Sequence, residues 1–297
     1  MSQLLVERSS RARLALGLLG MLLLLNLVLS VGVGPLAVGW ADSLAVLLAR
    51  LGIFAELDQP VHIVTIIESI RLPRTLLAIL VGASLAVCGA AIQGLFRNPL
   101  ADPGLIGVSG GAALAAVSVI VLGETLLAGM VELLGPYSLM LAAFGGGFVT
   151  TLLVSRIATG RYGTSIHLML LAGIAVNVIT GAGLGMFSFM ANDSQLRTLT
   201  FWTMGSLSGA TWSTVLAVTP VILLVLVWLP ASAKSLNALL LGESEARHLG
   251  VNVNRVKKRV ILIAALGVGA SVAVSGMIGF VGLVVPHLVR MTLGPDH

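Results

Sequence analysis

Stretches of about twenty apolar residues recur along this chain, broken by short polar joins. They cover roughly 14–34, 72–95, 104–122, 136–155, 166–190, 205–229, 257–275 and 278–293, the last being short for a span. Proline and glycine punctuate the joins, at Asn98-Pro99, Asp102-Pro103, Gly135-Pro136 and from Gly160 to Gly163. The runs do not alternate apolar with polar as the strands of a membrane barrel do. An open sheet edge has no place in lipid, so each run is expected to be a helix. The pattern predicts an all-α integral membrane protein, a polytopic helical bundle of about eight spans.

Composition agrees. Hydrophobic residues make up 57% of the 297 residues and charged residues 10%, where a soluble domain carries about a quarter. The mean hydropathy is +1.06. So few polar groups cannot cover two soluble domains, and residues 1–297 are read as one transmembrane domain. The net charge of +5 would suggest nucleic acid in a soluble protein, but in a membrane protein basic residues gather in cytoplasmic loops. No nucleic-acid partner is therefore expected. The single cysteine, Cys88, excludes an intrachain disulfide. Arg8, Arg11 and Arg13 before the first apolar run resemble the start of a signal peptide. That run is too long for a signal core, however, and no A-x-A-like site follows it.

Charge sets the expected orientation. With a cytoplasmic N-terminus, 13 of the 17 Lys and Arg residues fall on the cytoplasmic side and 4 (Arg50, Arg71, Arg74 and Arg197) on the outer side. All 12 carboxylates, Asp102 among them, fall outside the predicted spans. An ion-coupled transporter usually keeps an acid inside the membrane, so the driving energy is expected to come from elsewhere. An ion-coupled secondary transporter remains the alternative from another class.

The octet Gly82–Gly89 recurs as Gly269–Gly276, identical at six of eight positions at an offset of 187, and Pro99 falls on Pro286 at the same offset. The two octets lie in spans expected to run in opposite directions. An inverted repeat of this kind permits alternating access, although small residues are also common at membrane helix contacts. The second copy runs only to His297, so a complete repeat implies about two further spans.

Five ordered motifs carry a family resemblance. They are Arg71-Leu72-Pro73-Arg74, then Asn98-Pro99-Leu100-Ala101-Asp102-Pro103-Gly104, then Leu241-Gly242-Glu243 with Ala246 and Leu249-Gly250. Gly279–Leu283 with Pro286-His287 and finally Gly294-Pro295-Asp296-His297 complete the set. With them the chain resembles the FecCD-type permeases, the importers of vitamin B12, ferric siderophores and haem. The resemblance implies a ten-span permease that acts as a homodimer with two cytoplasmic ATPase subunits and a periplasmic substrate-binding protein in the bacterial inner membrane. ATP and Mg would be bound by the ATPase, and the permease itself would be no enzyme and hold no cofactor. The chain has no G-x-x-x-x-G-K-[ST] loop, and its five histidines show no ligand spacing for a metal.

Each candidate site has a plainer structural reading beside the one the resemblance implies. Arg71 and Arg74 suit interfacial snorkelling; the resemblance implies docking of the binding protein. Asn98, Pro99, Leu100, Thr164 and Ser165 suit ordinary turns; the resemblance implies an inner gate. Residues 235–254 read as a short helix, a glycine break and a second short helix. That is either an interfacial loop or, by resemblance, the ATPase-coupling element, with Gly242, Glu243, Glu245, Ala246, Arg247, Leu249 and Gly250 in it. In the fifth span, Gly181-x-x-x-Gly185 suits close helix packing. The resemblance implies that this helix lines the translocation path, through Met169, Asn177, Met186 and Met190, with Arg197, Trp202 and Met204 at an outer vestibule.

The segment Gln195–Leu207 is most similar to the haem-uptake branch of the family. Haem is a flat apolar ring with two carboxylates and an iron that accepts Met or His, and Arg197, Phe201, Trp202 and Met204 suit it. Aromatic residues also gather at membrane interfaces for structural reasons. Haem or another iron chelate is the expected substrate, with ferric siderophore and cobalamin as alternatives.

Overall fold

A computed structural model describes residues 2–34, 36, 38–50, 60–161 and 163–294, with the side chains of 2–12 and 50 left undescribed. The sequence motif at Pro295-Asp296-His297 and the carboxylates Glu56 and Asp58 lie outside the described residues.

The helices are α1 (Ser2–Gly32), α2 (Trp40–Arg50), α3 (Val61–Thr65), α4 (Leu72–Phe96), α5 (Val108–Leu122), α6 (Ala128–Leu134) and α7 (Ser138–Ile157). They continue as α8 (Ile166–Met190), α9 (Asp193–Met204), α10 (Trp212–Trp228), α11 (Ala233–Leu240), α12 (Glu243–His248), α13 (Val253–Ser275) and α14 (Val281–Leu293). A two-residue hairpin pairs β1 (Thr159–Gly160) with β2 (Gly163–Thr164) between α7 and α8. Among the described residues six helical runs are long and apolar enough to cross a membrane, and α5 and α14 are shorter apolar helices. The protein is an all-α polytopic membrane protein, and each of the eight expected spans meets a helix.

Helix starts follow their capping residues. Asn192 and Gln195 form a reciprocal capping box at α9, Thr211 caps α10 and Asn252 caps α13. The sequence reading placed a span from 205. Gly205, at φ 75, instead ends α9, and α10 waits for the Thr211 cap. Helix α3 runs into α4 through a π-helical turn at Ile66–Arg71, giving one continuous rod over Val61–Phe96.

Helices α4 and α13 form the centre of the core. They run antiparallel: Lys257, near the start of α13, shares a cavity with Phe96 and Asn98 at the end of α4. At the other end, Ser275 O accepts from Ser206 N, in the loop whose Ser208 O meets Arg74 near the start of α4. Ser84 Oγ donates to Gly267 O at 3.1 Å, and a Cβ at Gly267 would lie 2.6 Å from Cys88 Sγ. The two octets therefore face opposite ways, as an inverted relation requires. The aligned prolines are not equivalent, since Pro99 sits in the turn after α4 and Pro286 lies inside α14. The reason is that α4 continues to Phe96 past its octet, whereas Gly276, at φ 66, ends α13 within its own.

Two irregular segments turn back among the helices. After α4, residues 97–107 lead to Gly104, whose carbonyl accepts from Asn177 Nδ2 at 3.1 Å, halfway along α8. Gly173 has no room for a Cβ because the Leu105 carbonyl lies against it. This segment brings Asp102 beside the helices, half-buried, with Oδ1 accepting from Gly104 N at 2.7 Å. The sequence reading put Asp102 in a join outside the spans; the turned-back segment carries it in among the helices, with its carboxylate engaged as a local cap. After α13 the pattern returns: Phe280 takes φ 66, and Gly282 packs on Leu85 O and the Pro103 ring, midway along α4. Helices α5 and α14 begin inside the bundle, so 15 and 13 residues suffice for them.

Candidate gate and coupling site

The Asn98 turn and the β-hairpin meet at one end of the bundle. Phe96, Arg97, Asn98, Gly163, Thr164, Ser165, His167, Glu243 and Lys257 surround a cavity of about 510 Å³. Each wall has a local cause. Arg97 ends α4 in a left-handed conformation at φ 50, and Asn98 Oδ1 accepts from Leu100 N at 2.9 Å, which turns the chain and leaves Pro99 and Leu100 exposed. Gly163, at φ 106, closes the hairpin with a register of Thr159 opposite Thr164, whose hydroxyls lie 2.9 Å apart. Ser165 then caps α8 through Leu168 N.

The helix–glycine–helix segment lies against this cavity. Helix α11 ends at Leu240, Gly242 takes φ 123, and α12 opens with Glu243. Glu243 Oε1 accepts from Lys257 Nζ at 2.6 Å, while its other oxygen lies 3.7 Å from Arg247. Lys257 is 3% exposed, and its ammonium also donates to Thr164 O at 2.7 Å. Gly250, at φ 81, releases the chain into the Asn252 cap of α13. Glu245, Arg247 and Leu249 remain on the surface, Leu249 at 63%.

Several sequence expectations change here. Arg71 is not available for docking. It is buried, with Nη1 donating to Val31 O and Gly32 O and Nη2 to Leu36 O, so it caps the end of α1. Arg74 is half-buried and reaches Ser208 O at 3.4 Å, with its Nε unpartnered. Ala246 is fully buried and cannot be a surface contact, and Glu243 is engaged within the chain. Thr164 is buried as well, behind Ser165.

The expected path residues divide between two faces. Met169 is fully buried in the core, and Asn177 faces the Gly104 turn and Gly110 of α5, so neither lines an open path. Met186 and Met190 lie on the opposite, exposed face of α8 with Leu171, Val178, Ile179 and Phe189. Arg197 and Met204 are exposed on α9, and Trp202 is half-buried against Gly276. The glycine pair also falls on the open face: nothing lies within 4 Å of a Cβ at Gly181 or Gly185, while Gly173 and Gly183 make the close contacts, with Leu105 and Leu114. Four-residue spacing puts two glycines on one face without saying which face it is.

The sequence reading missed Lys257 as a site residue, counting it only among the cytoplasmic charges. It stands among Arg255, Lys258 and Arg259 at the start of α13, so nothing in the sequence singles it out from its charged neighbours.

Comparison with known proteins decides the family, since residues 22–297 match the FecCD transport family. The chain belongs to that family. It is 48% identical over 229 residues to the hemin transport system permease protein HmuU of Yersinia pestis, covering 77% of this chain and 67% of that protein. The vitamin B12 import system permease protein BtuC of Vibrio cholerae is 42% identical over 277 residues, covering 93% of this chain and 77% of that one. A solved structure described as an inward-facing conformation of a metal-chelate type ABC transporter superposes with a TM-score of 0.80. It is 31% identical and covers 96% of this chain and 83% of its own. The chain thus spans about two thirds of the length of the hemin permease. As a FecCD protein it is a multi-pass membrane transport protein.

Proposed function

We propose that this FecCD chain is the permease subunit of an ATP-driven importer that carries haem from periplasm to cytoplasm. The observation that carries the substrate is the 48% identity to a hemin permease. The exposed Arg197, Phe201 and Met204 of α9 are compatible with it, offering a cation and a soft apolar surface. In this reading the permease is no enzyme. It works as a homodimer in the bacterial inner membrane with its N-terminus in the cytoplasm. Two ATPase subunits hold ATP and Mg, and a periplasmic binding protein delivers the cargo. The exposed Glu245, Arg247 and Leu249 meet the ATPase, and the Asn98 turn and the hairpin at Thr164 and Ser165 form the inner gate. The open face of α8, with Met186 and Met190, faces the second copy and the path between the two.

The 42% identity to a vitamin B12 permease over 93% of this chain supports cobalamin as a second reading. Reconstitution of the permease in liposomes with its ATPase and binding protein separates the two. Haem is expected to stimulate ATP hydrolysis and enter the vesicles, while cobalamin and a siderophore panel do neither. Stimulation and uptake with cobalamin or a siderophore but not haem overturns the haem assignment and leaves the importer standing. Full uptake without the ATPase, driven by an ion gradient, overturns the importer itself.

A further inference from the structure

Lys257 sits where three parts of the chain meet. Its backbone belongs to α13, and its ammonium holds a carboxylate of α12 at 2.6 Å and a carbonyl of the hairpin at 2.7 Å. The side chain is 4% exposed and Glu243 is 29% exposed, so the cation is sealed in while its partner reaches toward the surface. A buried ammonium without acceptors is costly, which keeps Lys257 on whatever partners remain within reach. Its two partners differ in strength: a hydrogen bond to a charged carboxylate is the stronger, and one to a neutral carbonyl the weaker. When α12 shifts, the ammonium therefore stays with Glu243, and the bond to Thr164 O lengthens or is aimed anew. Thr164 is followed directly by Ser165, the cap of α8, so a change at Thr164 O reaches the start of that helix.

We propose that Lys257 is a positioning residue that yokes the coupling helix to the inner gate. It transmits displacement of α12 through Glu243 to the Thr164 carbonyl and the N-terminus of α8. This rests on the importer reading given above. The ion pair to Glu243 alone would make Lys257 a structural staple; the second bond, to Thr164 O, makes it a link between α12 and the hairpin.

The test measures uptake per ATP hydrolysed by the complete transporter in liposomes. Lys257→Met keeps an unbranched side chain only one atom shorter and removes both bonds. It is expected to leave ATP hydrolysis running while uptake per ATP falls at least about fivefold. Lys257→Arg, which donates to both acceptors, is expected to keep most of the coupling. The exchange Lys257→Glu with Glu243→Lys restores opposite charges, but a carboxylate cannot donate to Thr164 O. It is therefore expected to recover folded protein without recovering coupling, where a structural staple would recover both. Coupling unchanged in Lys257→Met, or restored by the exchange, overturns the yoke. The paired variant Lys257→Met with Glu243→Gln buries no lone charge; it serves if Lys257→Met does not fold, and normal coupling in it also overturns the yoke. Wild-type transporter runs alongside. If its uptake needs no ATPase, the importer reading fails and the yoke fails with it, whereas coupled wild-type uptake with unaffected variants removes the yoke alone.

Discussion

Helices α8 and α13 are near equals in length and apolarity, yet they occupy different surroundings. Their apolar 18-residue stretches have mean hydropathies of 1.9 and 1.7, but 72% of the stretch in α13 is buried inside the chain against 22% of that in α8. Hydropathy reports the solvent a helix tolerates and says nothing about whether its neighbour is protein or lipid. What distinguishes α13 is the placement of small residues against small residues. Gly267 meets Ser84 and Cys88 of α4, and α4 makes the same kind of contact on its other side, where Gly89 meets the backbone of Gly282 in α14. Lipid tails are as apolar as leucine, so tight packing between helices supplies the attraction that holds the bundle together. Helix α8 packs in this way on one side only, leaving Leu171, Ile174, Val178, Ile179 and Phe189 open on the other.

The largest expected effect breaks the tightly packed region. A side chain at Gly89 has nowhere to go, because its Cβ would overlap the Gly282 carbonyl, which is backbone and cannot rotate aside. Gly89→Val is expected to cost about 3 kcal/mol or more and abolish the monodisperse peak in size-exclusion chromatography. Gly181→Val on the open face of α8, where nothing in the chain lies within 4 Å, should still elute as folded protein, whatever it does to pairing with a second copy. Equal behaviour of the two variants would show that the close approach of α14 to α4 is not what holds the packed region together.

A smaller effect sharpens the other side of the comparison. If the open face of α8 meets a second copy, Ile179→Trp should lower the cross-linked dimer on the order of tenfold while each subunit stays folded. Ile179 is 68% exposed within the chain, so the larger ring meets no internal neighbour. An unchanged dimer yield would give that face to lipid and move the path elsewhere.

The same contrast explains what was legible in the sequence. Apolar runs and their proline and glycine joins located every expected span, because the bilayer imposes length and polarity on each run separately. The turns at Asn98 and at Thr164 and Ser165 were legible because their chemistry is local, while the cavity that they share was not. The turned-back segments at 97–107 and 276–280 were not legible, since they are held by contacts with distant helices, Asn177 on Gly104 O in the first and Leu85 against Gly282, just after the second. Lys257 was hidden for a similar reason, because its partners lie 14 and 93 residues away. Helix α9 was obscured by its own polarity, which reads as loop until the Asn192–Gln195 box is noticed.

The two arginines of the Arg71-Leu72-Pro73-Arg74 motif set the smallest prediction. The motif treats them alike, but the fold does not. Arg71 is engaged by three backbone carbonyls at the end of α1, so its replacement would report on how α1 is held. Arg74 keeps a half-buried stem, one long bond of 3.4 Å to Ser208 O and a guanidinium with donors to spare. If the binding protein docks through acidic residues, Arg74 is the member of the pair still able to meet them. Arg74→Glu is then expected to slow association of the loaded binding protein about threefold at low salt, with the difference shrinking as salt screens it. Charges at an interface rim govern approach more than final affinity, so the change belongs in the association rate measured by surface binding kinetics. An association rate independent of both the substitution and ionic strength would leave Arg74 with the snorkelling role that its position at the head of α4 already explains.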